Sequence, residues 1–213
     1  MIIISCFDDI SNLNFDLNSN QFCNNIAKNG GALYLSDNGN SSNRRNMDII
    51  FENNVFKDNY ASDFGGAFYS DYSKFYMATA KNNSFINNKA GAMGGGIYFN
   101  NFIDKNLQNS IFKDNLVGYL TDDYSAKPAY VLLNTKLNSE TSKVNSRDYF
   151  PLIFTLYNDF DNVVTDVNKY FNMITLRLEI KEKNSDYEEY NGNYYITGNI
   201  GTFINGKIFF YNK

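Results

Sequence analysis

The chain has no histidine, and only two cysteines and two prolines among its 213 residues. Without histidine, and without a C-x-x-C pair, zinc sites of the usual kind are excluded. Cys6 and Cys23 leave two readings open: one disulfide if the protein is secreted, or two small buried apolar residues. Basic clusters are lacking as well. The longest is Arg44-Arg45, in a chain with 19 basic and 23 acidic residues and a formal net charge of −4. Nucleic-acid binding leaves a basic patch or stripe, so nucleic acid is set aside as a partner. No apolar run approaches the length of a membrane span. Met1-Ile2-Ile3-Ile4-Ser5-Cys6 is too short for a signal-peptide core and lacks a positively charged start. It reads as a β-strand at the end of a truncated or mis-started chain. No segment announces a reaction, and no cofactor is expected.

What the chain does have is apolar residues, 43% of the total, and aromatics, 17%. That is enough to bury a core, so the composition is not that of a disordered chain. Asparagine occurs 36 times. It tolerates left-handed backbone and forms amide ladders in stacked β-structure. An AT-rich genome would also inflate it, so only asparagines at recurring positions need a structural reason. Two sequons, Asn40-Ser41-Ser42 and Asn82-Asn83-Ser84, carry little weight in so Asn-rich a sequence.

One phrase recurs through the first half. Phe22-Cys23-Asn24-Asn25 leads to Ala27 and Gly30-Gly31-Ala32-Leu33-Tyr34. Phe56-Lys57-Asp58-Asn59 leads to Ala61 and Gly65-Gly66-Ala67-Phe68-Tyr69. Phe85-Ile86-Asn87-Asn88 leads to Ala90 and Gly94-Gly95-Gly96-Ile97-Tyr98. A fourth copy opens with Phe112-Lys113-Asp114-Asn115 and Val117-Gly118, and there the phrase stops. The leading Phe residues are 34, 29 and 27 residues apart. Anchors that persist while the loop after the Tyr changes length are the mark of a stacked repeat.

Short strand-like pieces, such as Ala32–Leu35, Asp48–Phe51 and Val55-Phe56, alternate with Asn, Asp, Gly and Ser turn formers. No helical apolar spacing appears in this half. The spacing predicts one coil of a right-handed parallel β-helix per repeat, about four coils in all. Equivalent residues of successive coils then stack at the strand spacing, roughly 4.8 Å. Phe22, Phe56, Phe85 and Phe112 become an inward aromatic stack, and Ala27, Ala61, Ala90 and Val117 a small-residue stack beside it. Asn25, Asn59, Asn88 and Asn115 link coils at a turn. The pairs Gly30-Gly31, Gly65-Gly66 and Gly94-Gly95 sit at corners with positive φ or with close backbone approach.

F-x-x-N followed by G-G-A-hydrophobic-Tyr resembles the repeat of the polymorphic outer membrane protein family. The likeness covers about residues 10–120, with Gly96 replacing the Ala in the third copy. It implies a right-handed β-helix of the pectin-lyase-like fold. It also implies an extracellular or surface-exposed, adhesin-like role, with a protein or polysaccharide as partner. That family has no shared catalytic residues to carry over, and its outer-membrane barrel has no counterpart in this sequence.

Beyond the repeats the pattern changes. Thr121–Pro128 reads as a linker or capping turn, and we place a first domain at 1–124 and a second at 125–213. Tyr130–Leu133 and Leu152–Tyr157 are strand-like. Ile174, Leu176, Leu178 and Ile180 alternate with polar residues, the pattern of a strand with one wet face. Asn191-Gly192 and Asn205-Gly206 each mark a hairpin. Hairpin-linked strands at this spacing predict an antiparallel β-sandwich. Residues 154–164 resemble an early strand and turn of immunoglobulin-like modules, and the sandwich is expected to lack its last strands.

Candidate chemistry is thin. The pectin-lyase-like fold also hosts polysaccharide lyases and glycoside hydrolases, so such an enzyme is the alternative function. A glycosidase needs two carboxylates about 5–10 Å apart. Asp58 and Asp114 occupy equivalent positions, but Asn87 stands between them, and solvated turn residues are the plainer reading. Asp159, Asp161 and Asp166 could offer oxygen ligands to Ca²⁺; an ordinary acidic turn is the plainer reading. Tyr72, Phe75 and Tyr76 lie in an insertion and could form a sugar-stacking platform, although tyrosine also belongs on strand surfaces.

Overall fold

The computed structural model describes residues 2–6, 15–37, 49–71, 79–99, 107–136, 150–166, 168–171, 173–179 and 199–212. Among these residues there are strands and turns but no helix, so the protein is all-β.

The first half is built from parallel sheets. β1 (Ile2–Cys6) comes first. A rung follows: β2 (Phe15–Asn18), β3 (Gln21–Cys23), β4 (Ile26–Ala27) and β5 (Leu33–Asp37). The second rung is β6 (Ile49–Glu52), β7 (Val55–Lys57), β8 (Tyr60–Ala61) and β9 (Phe68–Ser70). The third is β10 (Thr79–Lys81), β11 (Ser84–Ile86), β12 (Lys89–Ala90) and β13 (Ile97–Phe99). The fourth is β14 (Leu107–Gln108), β15 (Ile111–Lys113) and β16 (Leu116–Val117), then β17 (Leu120–Thr121) and β18 (Tyr124–Ala126). Each rung gives one strand to each of four sheets: β2-β6-β10-β14 (sheet I), β3-β7-β11-β15 (sheet II), β4-β8-β12-β16-β17 (sheet III) and β1-β5-β9-β13-β18 (sheet IV). All these pairings are parallel except β16 with β17.

The sequence explains the register. Phe22, Phe56, Phe85 and Phe112 are partners across sheet II, and Ala27, Ala61, Ala90 and Val117 across sheet III. A one-residue slip would turn each of these rows to the opposite face. Inside lie Leu17, Phe51 and Ala80 from sheet I, Phe56 and Phe85 from sheet II, and Leu33, Phe68, Ile97 and Phe99 from sheet IV.

The fourth copy does not stop at Gly118. β17 folds back, and β18 then pairs with β13, matching Ile97 to Tyr124 and Phe99 to Ala126. The stretch expected to be a linker or capping turn therefore supplies the last strand of sheet IV.

Contacts divide the chain into Met1–Pro128 with Asn158–Asn162, and Ala129–Tyr157 with Val163–Lys213. The boundary placed after residue 124 falls inside β18. In the second unit, β19 (Pro128–Leu133), β20 (Phe150–Asn158) and β23 (Lys207–Asn212) form a sheet in the order β19-β20-β23. β21 (Thr175–Arg177) pairs antiparallel with β22 (Ile200–Thr202), and β20 pairs antiparallel with β23. Leu152, Ile208 and Phe210 form the core, with Leu133, Phe154, Leu176, Leu178 and Phe203 against it. Asn205 and Gly206 both have positive φ, at 49° and 73°, which is what a type I′ turn requires. Ile174 to Glu179 alternate between half-buried and exposed. Ile180 and the Asn191-Gly192 hairpin lie outside the described residues.

Candidate functional site

The recurring residues are bound to one another. Phe22, Phe56, Phe85 and Phe112 stack with ring centroids 4.8, 4.9 and 5.0 Å apart and planes within 12°. Asn25 donates from its backbone N–H and from Nδ2 to Asn59 Oδ1, both at 3.0 Å. Asn59 does the same to Asn88, and Asn88 to Asn115, at 2.9–3.0 Å. Each of these later amides also reaches back, with Nδ2 of Asn59, Asn88 and Asn115 donating to the carbonyls of Phe22, Phe56 and Phe85. Asn59, Asn88 and Asn115 are fully buried, and Asn59 and Asn88 spend their side-chain polar atoms on neighbouring rungs.

A second ladder was not read from the sequence. Asn20 donates to Asn54 Oδ1, Asn54 to Asn83 Oδ1, and the Asn83 N–H to Ser110 Oγ. Asn54 and Asn83 Nδ2 reach back to the carbonyls of Leu17 and Phe51. The signal was present: Asn20, Asn54, Asn83 and Ser110 each stand two places before a stacked Phe, so the repeat is N-x-F-x-x-N. Before each ladder residue the backbone is left-handed. Asn24, Asp58, Asn87 and Asp114 have φ of 54–58°, and Ser19, Asn53, Asn82 and Asn109 of 55–60°. Short polar side chains tolerate that conformation best. Asp58 and Asp114 are therefore corner residues, and Asp58 accepts a hydrogen bond from Asn87 Nδ2. They are not a facing pair of acids.

The glycine pairs combine both reasons foreseen for them. Gly65 has φ +64°, while a Cβ on Gly66 would lie 2.0 Å from the Gly95 carbonyl oxygen. Gly30 and Gly94 share the positive φ of Gly65, and Gly31 and Gly95 share the close approach.

On the outer face of sheet IV a different row stands. Tyr34 and Tyr69 stack at 4.9 Å, Tyr69 and Tyr98 at 5.7 Å, and Phe64 lies 4.5 Å from Tyr98. Tyr34 and Tyr69 are half-buried, whereas Tyr98 and Phe64 are buried. Burial, together with the charge of Asp71, pushes the Tyr34 hydroxyl above its ordinary value, against a hydrogen bond with Ser36. Near neutral pH it is a hydrogen-bonding phenol and no nucleophile. The strands bearing these tyrosines lead into residues 38–48, 72–78 and 100–106, the three long connections of the repeat. Tyr72, Phe75 and Tyr76 belong to the second of these and lie outside the described residues, as do Asn40, Arg44 and Arg45.

Of the acidic candidates, Asp166 serves the backbone. Asp159 and Asp161 lie on a tight turn where Asn158 Oδ1 accepts the N–H groups of Phe160 and Asn162. Asp166 accepts the N–H groups of Tyr170 and Phe171. Among the described residues, no three His, Cys, Asp or Glu side chains gather as metal ligands. Cys23 is a free, exposed thiol. No described helix is long and apolar enough to cross a membrane.

The end of the stack has its own chemistry. Gly30 and Gly65 N–H donate to the carbonyls of Phe64 and Met93 in the next rung; Gly94 N–H instead donates to Asp122 Oδ2 at 2.8 Å. Asn115 Nδ2 donates to Asp123 Oδ1 at 2.8 Å, where earlier amides meet the next Asn. Two carboxylates thus stand in for a rung that is not there. Burial pushes the Asp122 carboxyl above its ordinary range; the Gly94 N–H opposes that shift and the charge of Asp123 adds to it. Phe160 packs against Phe99 and Tyr124, and Asn158 Nδ2 donates to Ser125 Oγ.

Comparison of the chain with protein-family models, curated proteins and solved structures finds no match.

Proposed function

We propose that this protein is a non-enzymatic, surface-exposed scaffold that holds variable segments for binding a protein or a polysaccharide. In this reading the parallel stack is a right-handed β-helix of pectin-lyase-like type bearing polymorphic outer membrane protein-like repeats. The second unit is an immunoglobulin-like sandwich. The proposed location is extracellular or the cell surface. One observation carries the reading: the three long connections each follow, in sequence, a sheet IV strand that bears Tyr34, Tyr69 or Tyr98. The recurring residues, by contrast, are committed to rung-to-rung packing and hydrogen bonds. A scaffold of this kind separates the parts that build it from the parts that vary.

The test is an array of polysaccharides and surface proteins probed with the intact chain. Variants with residues 38–48 or 72–78 replaced by Gly/Ser segments of equal length are probed alongside. Binding that disappears in a replacement variant with an unchanged thermal midpoint supports the reading. Cleavage of any bound polysaccharide, with or without Ca²⁺, overturns it in favour of a carbohydrate-active enzyme.

A further inference from the structure

The apolar interior of the stack is closed by a residue from far along the chain. Phe112, last of the stacked rings, meets Tyr124 edge-on at 5.5 Å, and Tyr124 meets Phe160 edge-on at 5.5 Å. Phe160 also lies 6.1 Å from the buried Phe99, so it packs on the stack's own core. It stands at the tip of a hairpin, residues 156–164, that leaves β20 and turns back. The tip is braced from within. Asn158 N–H donates to Asn162 O, its Oδ1 accepts the N–H groups of Phe160 and Asn162, and its carbonyl accepts the Asp161 N–H. Its Nδ2 donates to Ser125 Oγ, so one buried amide both shapes the tip and ties it to β18. The base of the hairpin has other partners. Leu156 N–H donates to Gly206 O and Val164 N–H to Leu156 O, and both side chains are buried. Asn158–Asn162 belongs to the same compact unit as the stack, whereas the residues on either side of it belong to the unit of β20 and β23.

We propose that this hairpin is a latch: its tip holds the last rung closed, and its base makes that closure depend on the core of Leu152, Ile208 and Phe210. Only residues 159–162 separate Asn158 from Val163, and they are hydrogen-bonded back to Asn158. Such a tip has no slack, so a displaced base carries it along. When Leu156 and Val164 lose their places, Phe160 withdraws from Phe99 and Tyr124, and Asn158 releases Ser125. The pairing of β13 with β18 then opens to water. At this end β17, Asp122 and Asp123 satisfy hydrogen bonds, and Phe160 adds apolar cover. Native proteins open in cooperative pieces. The latch places β13 and β18 in one such piece with β20 and β23, although β13 and β20 lie more than fifty residues apart in sequence.

The test reads amide hydrogen exchange in the full chain after the second core is loosened, by Phe210→Leu or, where that substitution prevents folding, by Ile208→Val. Each is made in the parent and in a Phe160→Ala background. In the parent, the core substitution is expected to speed exchange in β13 and β18 about tenfold, together with β20. In the Phe160→Ala background the latch is already released. Exchange in β13 and β18 should start faster there, and the same core substitution should change it by less than about twofold. A ring that only packs locally would give additive effects instead. Exchange in β13 and β18 that the core substitution leaves unmoved in the parent, or speeds equally with and without Phe160, would overturn the proposal. Because the readout involves no ligand, the outcome is independent of the scaffold function proposed above.

Discussion

At its first rung the stack leaves Asn20 exposed and Asn25 half-buried; at its last, Asn115 is fully buried. The same residue type in the same geometry meets two different fates. The difference is made by Asp122, Asp123 and β17, which complete the last rung with side-chain oxygens and a folded-back strand. A parallel stack has no natural end: each rung leaves backbone and amide groups that the next must satisfy. Closure must therefore be written into the sequence as an exception to the repeat. The second unit needs no such device along β20, whose described hydrogen-bonding edges are both paired in the order β19-β20-β23.

The comparison can be broken from the middle outward. Gly66→Val places a side chain against the Gly95 carbonyl. It should cost more than about 4 kcal/mol, and the parallel stack should no longer unfold cooperatively in denaturant titration. Phe85→Ala removes a fully buried ring with partners on both sides. It should cost about 3–5 kcal/mol in the same titration. Phe22→Ala, at the half-buried end, should cost less than half as much; equal losses would show that the first rung is as enclosed as the third. Asn59→Ala strands the Phe22 carbonyl and the donors of Asn25, for a loss of about 2–3 kcal/mol. Asn20→Ala, on the exposed rung, should lose about 1 kcal/mol or less by the same measure.

The smallest effect concerns pH. Folding raises the Asp122 pKa above its unfolded value, so the folded state holds this proton to higher pH than the unfolded state. Its stabilising contribution is complete below the ordinary carboxylate range and is lost as pH rises through the raised value. Asp122→Asn keeps an oxygen for the Gly94 N–H and removes the titration. The variant should show a flatter thermal midpoint across that window, and it should gain on the parent at the upper end. A parent whose midpoint climbs more steeply than the variant's through the window would contradict the assigned direction.

Much of the stack was legible because its chemistry is periodic. Spacing alone picks out the four stacked Phe, the small inward residues, the Asn25–Asn115 ladder and the glycine corners. The ladder through Asn20, Asn54 and Asn83 was hidden by abundance: with 36 asparagines in the chain, those before the Phe did not stand out. The last sheet IV strand, β18, was hidden by substitution, since Asp122-Asp123 replaces the glycines while Tyr124 keeps the register. The tyrosine row was read as part of the repeat phrase, and its outward stacking follows only from which face of sheet IV it occupies.

By itself, the sequence determined that equivalent residues would meet, because a fixed repeat leaves one register that buries every Phe and every small residue together. It also determined where hairpin turns fall, as at Asn205-Gly206, because few residues accept positive φ. Tertiary structure alone decided how the stack ends. Asp122 and Asp123 become surrogate rung atoms only when β17 folds back. Phe160 reaches Phe99 and Tyr124 only through a turn that lies, in sequence, beyond β19. Contacts between residues so far apart leave no local pattern to read, and their energy comes from burial that exists only once the rungs are stacked.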